Sequence, residues 1–226
     1  MTLQDIFDQL TFGELSQLSI GGAENGAITE ANWGKMIAHI NLGLTALYKR
    51  FPLKEDMVLI PLVPGTLAYS TLTIAPALLK IEKVMTNDDF ELALNDAADM
   101  YSVTTPSAST LRVPADIVNQ VIDLPDQYKT TDLTLVYRAN HPRITQSLGY
   151  FDPKRVRLQL PDTHLEPLLL YVASRVHTPM GTGQFEGQIG NNYYAKYEAS
   201  CQMIETSNLK VDQGSQSTRL RDNGWV

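Results

Sequence analysis

At 226 residues and 25.1 kDa, the chain is long enough to bury a sizeable core, as one large domain or a domain with an accessory sheet. Its 43% hydrophobic and 19% charged residues are ordinary for a globular protein, and no apolar run reaches the ~20 residues that span a bilayer. A net charge of −7 argues against gripping nucleic acid as the main task, because a binder needs a concentrated positive face; it suits a surface past which DNA is conducted.

The first residues, MTLQDIFDQL, carry neither a basic start nor an apolar run, so no secretion signal is expected. Leu3, Ile6, Phe7 and Leu10 share one helical face, and Thr11 is placed to cap a second turn, GELSQL, before Gly21-Gly22. After GGAENGA the clearest helix runs from about Thr29, as N-cap, to Arg50. Its stripe is Trp33, Met36, Ile37, Ile40, Leu44, Leu47 and Tyr48, and Pro52 stands just past its end. Such a helix needs a partner to cover that stripe.

From Leu53 the texture changes to short strands and turns, punctuated by Pro61, Pro64 and Gly65. ALLKIEKVM reads as a strand ending at an Asn87-Asp88 turn, FELALNDAADMYSV as strand or short helix, and STLRVP, NQVIDLP and DLTLVYRANHPRI as further strands. In the last, Leu133, Leu135 and Tyr137 alternate with Asp132, Thr134, Val136 and Arg138, giving one buried face. The connector SLGYFDPKRVRLQLPD gathers Lys154, Arg155 and Arg157 in an acidic chain, either as a solvated edge or as a contact with an acidic partner or DNA phosphate.

LPDTHLEPLLLYVASRVH is the first arm of a helical hairpin, with Leu165, Leu168, Leu169, Val172 and Val176 on one face, Asp162 or Thr163 as cap and Glu166 at capping-box spacing. HTPMGTGQFEG links it to a second helix, from about Gln184 to Thr206, whose face is Ile189, Tyr193, Tyr197, Cys201 and Ile204. Beyond Leu209 the sequence is polar and aperiodic, and by itself should not order. The expected architecture is therefore α+β: a helical bundle from residues 1–52 and the hairpin 160–209, a small mainly antiparallel β insertion over 53–159, and an extended arm at 210–226. Packing between the helices is expected at Trp33, Ile37, Ile40, Leu44, Leu169, Val172, Tyr193 and Tyr197.

Signatures of catalysis are missing. There is no GxxxxGK[ST] or GxSxG, and GTGQFEG follows a helix instead of a strand, so it reads as a hairpin turn. His39, His141, His164 and His177 form no compact ligand pair; His39 is expected to be a satisfied structural histidine, and His164 and His177 lie at opposite ends of one helix. The lone Cys201 excludes an intrachain disulfide and sits on an apolar stripe, as a buried thiol. Carboxylates such as Asp88-Asp89 and Asp96/Asp99 are frequent, but a pair without a cleft is not a site. No enzyme, metal or cofactor is expected.

The order of these pieces, with VASRVH closing one helix and NNYYAKYEASCQMI forming the next, resembles the head-to-tail adaptor proteins of short-tailed bacteriophages. The resemblance implies a structural virion protein at the head–tail junction, made in the host cytoplasm. It implies a ring of roughly twelve copies of itself, bound to a portal protein on one side and a tail tube or nozzle on the other. DNA passes through without sequence-specific binding, and no membrane is involved. In such proteins a C-terminal arm docks on the portal. Here that arm offers Arg219, Arg221 and Trp225, residue types enriched at binding hot spots, with Leu220 and Val226 beside them. Lys154, Arg155 and Arg157 would face the lumen or a neighbouring subunit. The alternatives are another tail-completion or tail-tube protein, a cytoplasmic helical interaction module and, last, an enzyme.

Overall fold

The computed structural model describes residues 1–18, 26–107, 109–146, 151–177 and 184–207, the side chains of 184–188 excepted. The fold is α+β and its described residues divide into two compact units: a helical one, from residues 1–51 and 141–207, and a β-rich one, residues 52–140.

The helical unit begins with α1 (Leu3–Phe12), held by a capping box. Asp5 N–H donates to the Thr2 hydroxyl at 3.3 Å and Thr2 N–H to the Asp5 carboxylate at 2.7 Å. Leu3, Ile6, Phe7 and Leu10 are buried, as their spacing requires. Thr11 caps nothing: it lies inside α1, which Gly13 closes by donating to Gln9 O, and turns follow in place of a second helix. Gly26, at φ +69°, returns the chain over those turns; a Cβ there would stand 2.1 Å from Leu15 O.

Helix α2 (Trp33–Arg50) starts three residues later than a Thr29 cap would place it. Asn32, not Thr29, organises the entry: its side chain accepts from Thr29 N–H at 2.8 Å and donates to Ala27 O at 3.1 Å, while Thr29 O takes the Asn32 and Trp33 N–H groups. The predicted stripe is buried from Met36 to Tyr48, and half-buried Trp33 packs edge-on to Phe151 at 5.7 Å.

Residues 141–159, expected with the β insertion, return to the helices because their backbone groups find partners there. Asn41 on α2 takes both polar groups of Ile144, at 2.8 and 3.0 Å. Leu3 N–H donates to Val156 O, and Leu158 N–H to Met1 O. A 3-10 turn at Asp162–His164 then runs directly into α5 (Leu165–His177). Helical geometry is therefore already under way at Thr163, whose hydroxyl bonds the His164 ring at 3.0 Å; it closes no capping box with Glu166.

Helix α5 is buried on most of its circumference, Leu168, Val172 and Ala173 completely. It packs on α1, α2 and α6 (Gln184–Thr206). Gly43 of α2 sets the closest approach: a Cβ there would lie 2.7 Å from Leu168 Cδ1 and 3.1 Å from the Tyr171 ring. The linker 178–183 and the arm 210–226 lie outside the described residues.

In the β unit, β1 (Glu55–Pro61), β7 (Asp132–Ala139), β3 (Leu78–Met85) and β4 (Glu91–Leu92) form an antiparallel sheet in the order β1-β7-β3-β4. A second sheet runs β2 (Ala68–Ser70), β6 (Thr110–Arg112), β5 (Thr104–Ser107). Strand β7 buries Leu133, Leu135, Tyr137 and Ala139 in strict alternation. NQVIDLP is no strand: α4 (Ala115–Asn119) ends there at Gln120 in the left-handed region, whose side-chain amide donates to Thr130 O at 2.8 Å. The turn residues Thr71–Ile74 form a short helix, α3. FELALNDAADMYSV gives only β4 and turns, in which Asp96 and Asp99 accept the N–H groups of Ala98 and Tyr101. Those carboxylates serve the turn.

Candidate functional site

The surface that singles itself out is built by α6 against α5. At 100° per residue, Gly190, Tyr197, Cys201 and Ile204 fall together, and all four are buried. Tyr197 meets Tyr171 edge-to-face at 5.2 Å. Burial raises the Cys201 thiol pKa, as expected of an inert cysteine. Ile189 was expected in this stripe, but it is 41% exposed. It lies about 100° round the helix from Gly190, with Lys196, Ala199 and Met203 on a second, open face.

Beside that face the α1–α2 connection is fastened down. Tyr193 and His177 stack at 4.9 Å, and the Tyr193 hydroxyl and His177 Nε2 both reach Glu14 O, at 3.3 and 3.2 Å. Lys196 Nζ stands 5.3 Å over the Tyr193 ring. Burial and the Glu14 carboxylate raise the Tyr193 pKa. Glu14, Glu166, Leu170, Lys196, Ala199, Ser200 and Met203 then border an open groove of about 500 Å³. Two carboxylates, one ammonium and the Ser200 hydroxyl edge an apolar floor of Leu170, Ala199 and Met203. It offers shape and charge to another protein.

On the far side of α6, Arg50 joins α2 to the last two turns. Its guanidinium donates to Glu205 at 2.8 Å and Glu198 at 2.6 Å. Glu205, then Glu198, hold its pKa above the ordinary value despite partial burial. Nothing in the sequence marked this triad, since its members are separated by about 150 positions.

Of the histidines, His141 accepts from Gln159 N–H at 3.2 Å and packs against Tyr48 at 5.6 Å. His39 is not the satisfied residue its position suggested. Its Nδ1 is buried without a hydrogen-bond partner among the described residues, and burial, then Arg175, lower its pKa. His164, wholly buried against Phe51 at 4.7 Å, is likewise lowered by burial.

The basic cluster is solvent-facing. Lys154 and Arg155 lie on a 3-10 turn, with Arg155 Nε 3.5 Å from Asp152, and Arg157 follows on extended chain. The expected packing residues Ile37, Ile40, Leu44, Leu169, Val172 and Tyr197 are buried in the helical unit. Arg219, Leu220, Arg221, Trp225 and Val226 lie outside the described residues. Among the described residues no group of three or more acidic, histidine or cysteine side chains is placed to hold a metal, and no helix is long and apolar enough to cross a membrane. Compared with known proteins, the chain matches no family model and no curated protein.

Proposed function

We propose that the chain is a structural head-to-tail adaptor: copies close into a ring between a portal and a tail tube or nozzle, and DNA leaves through the channel. The observation that carries this reading is the open second face of α6. Lys196, Ala199 and Met203 line the groove edged by Glu14 and Glu166, with exposed Ile189 on the same helical face, on a helix whose other stripe is already covered. A helix with two such faces has a second surface to bury, and a repeated neighbour would cover it with the same geometry each time.

The helical core with an inserted β unit, the polar arm at 210–226 and the missing catalytic signatures support the same reading. In it, Arg219, Leu220, Arg221, Trp225 and Val226 anchor the arm on the portal, and the β unit faces the tail. The test is co-sedimentation with portal rings. Full-length protein is expected to migrate with them, and a chain ending at Leu209 to stay folded but unbound. Truncated protein that co-migrates as well as the full chain would sink the arm's role; full-length protein that never does would sink the reading.

A further inference from the structure

The chain carries a second concave surface that the ring reading does not use. The return segment 141–146 and the extended chain at 156–159 enclose a hollow of about 230 Å³, lined by His141, Arg143, Thr145, Arg157 and Gln159 among others. Arg143 also borders an adjoining hollow of about 340 Å³, with Asn41, Thr145 and Gln146. Neither lining contains a carboxylate, in a chain with 25 of them.

Arg143 and Arg157 are exposed and have no ion-pair partner among the described residues. The carboxylate of this segment, Asp152, is already engaged by Arg155 and by Lys154 N–H. The segment is also fixed: Asn41 holds Ile144 at both backbone groups, His141 receives Gln159 N–H, and Leu158 N–H donates to Met1 O. Two arginines are thus presented on a rigid frame with hydroxyl and amide groups around them.

We infer that these paired hollows bind phosphate groups, with Arg143 at the junction and Arg157 at one end. Guanidinium donors fit phosphate oxygens in pairs and lose little hydration in doing so. The first hollow is smaller than the ~300 Å³ at which sites for whole organic ligands begin, so it takes one charged group, and the second takes the next. That the phosphates belong to DNA rests on the adaptor reading; the site does not. An otherwise acidic surface then holds the backbone weakly at one place and repels it elsewhere.

The test is fluorescence anisotropy of a labelled 20-base-pair duplex with the full chain, over a series of salt concentrations, with inorganic phosphate as a second ligand followed by NMR shifts. The double variant Arg143→Gln/Arg157→Gln is expected to weaken duplex binding about tenfold or more per arginine and to reduce the salt slope by about two. Lys154→Gln/Arg155→Gln, outside the hollows, is expected to leave most binding intact. Phosphate alone shifting the same resonances, without duplex binding, would assign the site to free phosphate. Equal losses in both double variants, or polyglutamate binding as tightly as DNA, would overturn it. Portal co-sedimentation of the unsubstituted full chain separates the two ideas: portal binding beside neither duplex nor phosphate binding sinks the site and spares the adaptor, whereas phosphate binding without portal binding sinks the adaptor and spares the site.

Discussion

Arg50 shows how one side chain can decide the register of a helix. It is 22% exposed and holds two carboxylates about two turns apart near the C-terminal end of α6. Replacing it leaves Glu198 and Glu205 facing each other without a counter-charge. Arg50→Gln should cost about 1–2 kcal/mol, read as an earlier urea midpoint, because charged hydrogen bonds of this kind are partly screened by solvent. A loss that does not shrink in 1 M salt would point to packing instead of charge.

The two lowered histidines give the protein a pH dependence with a definite sign. His39 and His164 are held neutral by burial, below the ordinary 6.5. The unfolded chain therefore takes up protons near pH 6.5 while the folded one resists. Stability is fully present above that pH and falls as the solution is acidified through the folded values. Denaturation at pH 7.5 and pH 5.5 is expected to show the loss, and His164→Gln to reduce it; an unchanged pH slope in that variant would remove His164 from the account.

At the scale of elements, α2 and α5 meet where a glycine allows it. Gly43→Val would drive a branched side chain into Leu168 and Tyr171, and should cost about 3 kcal/mol from overpacking. Gly43→Ala should cost less, since alanine's helix propensity returns about 1 kcal/mol. Thermal melting of the two variants orders them directly.

Long periodic elements were legible from the residues. The stripes of α1, α2 and β7 are buried as spaced, because a 3.6 or 2.0 repeat has one way to meet a core. Boundaries were less so. Thr29 and Thr163 have the chemistry of caps, but Asn32 and a preceding 3-10 turn took those positions through contacts local sequence does not weigh. The placing of 141–159 with the β insertion failed for a related reason: Asn41 and Met1 supply hydrogen bonds to this segment from more than a hundred positions away. Arg157 was visible as a charge, whereas its pairing with Arg143 depends on how that segment folds back.

Considered whole, the molecule has a helical unit in two pieces of sequence and a β unit in one. Removing residues 210–226 should leave circular dichroism and melting nearly unchanged while abolishing portal binding, since a few anchors carry most of such an interface. Light scattering of the purified chain, with and without portal, then reports on ring closure: more copies should associate when portal is present, and a stable dimer in both conditions would count against the ring.

The stem of the β unit is narrow. Lys54 O accepts from Ala139 N–H at 2.9 Å, and the chain re-enters at His141 beside Tyr48, three residues from where α2 gives way at Phe51. To the helices, everything between is a loop, and the length they perceive depends on its state. Folded, it is a closed clasp; unfolded, it is a slack tether of roughly 85 residues, about 2.5 kcal/mol harder to close than a five-residue link. The two units can thus be thermodynamically linked through chain entropy alone. Leu135→Ala should loosen the sheet and lower the melting of the helices slightly, and replacing 53–140 by a five-residue Gly-Ser link should cancel that effect. Helices that melt identically in all three proteins would show the tether to be silent.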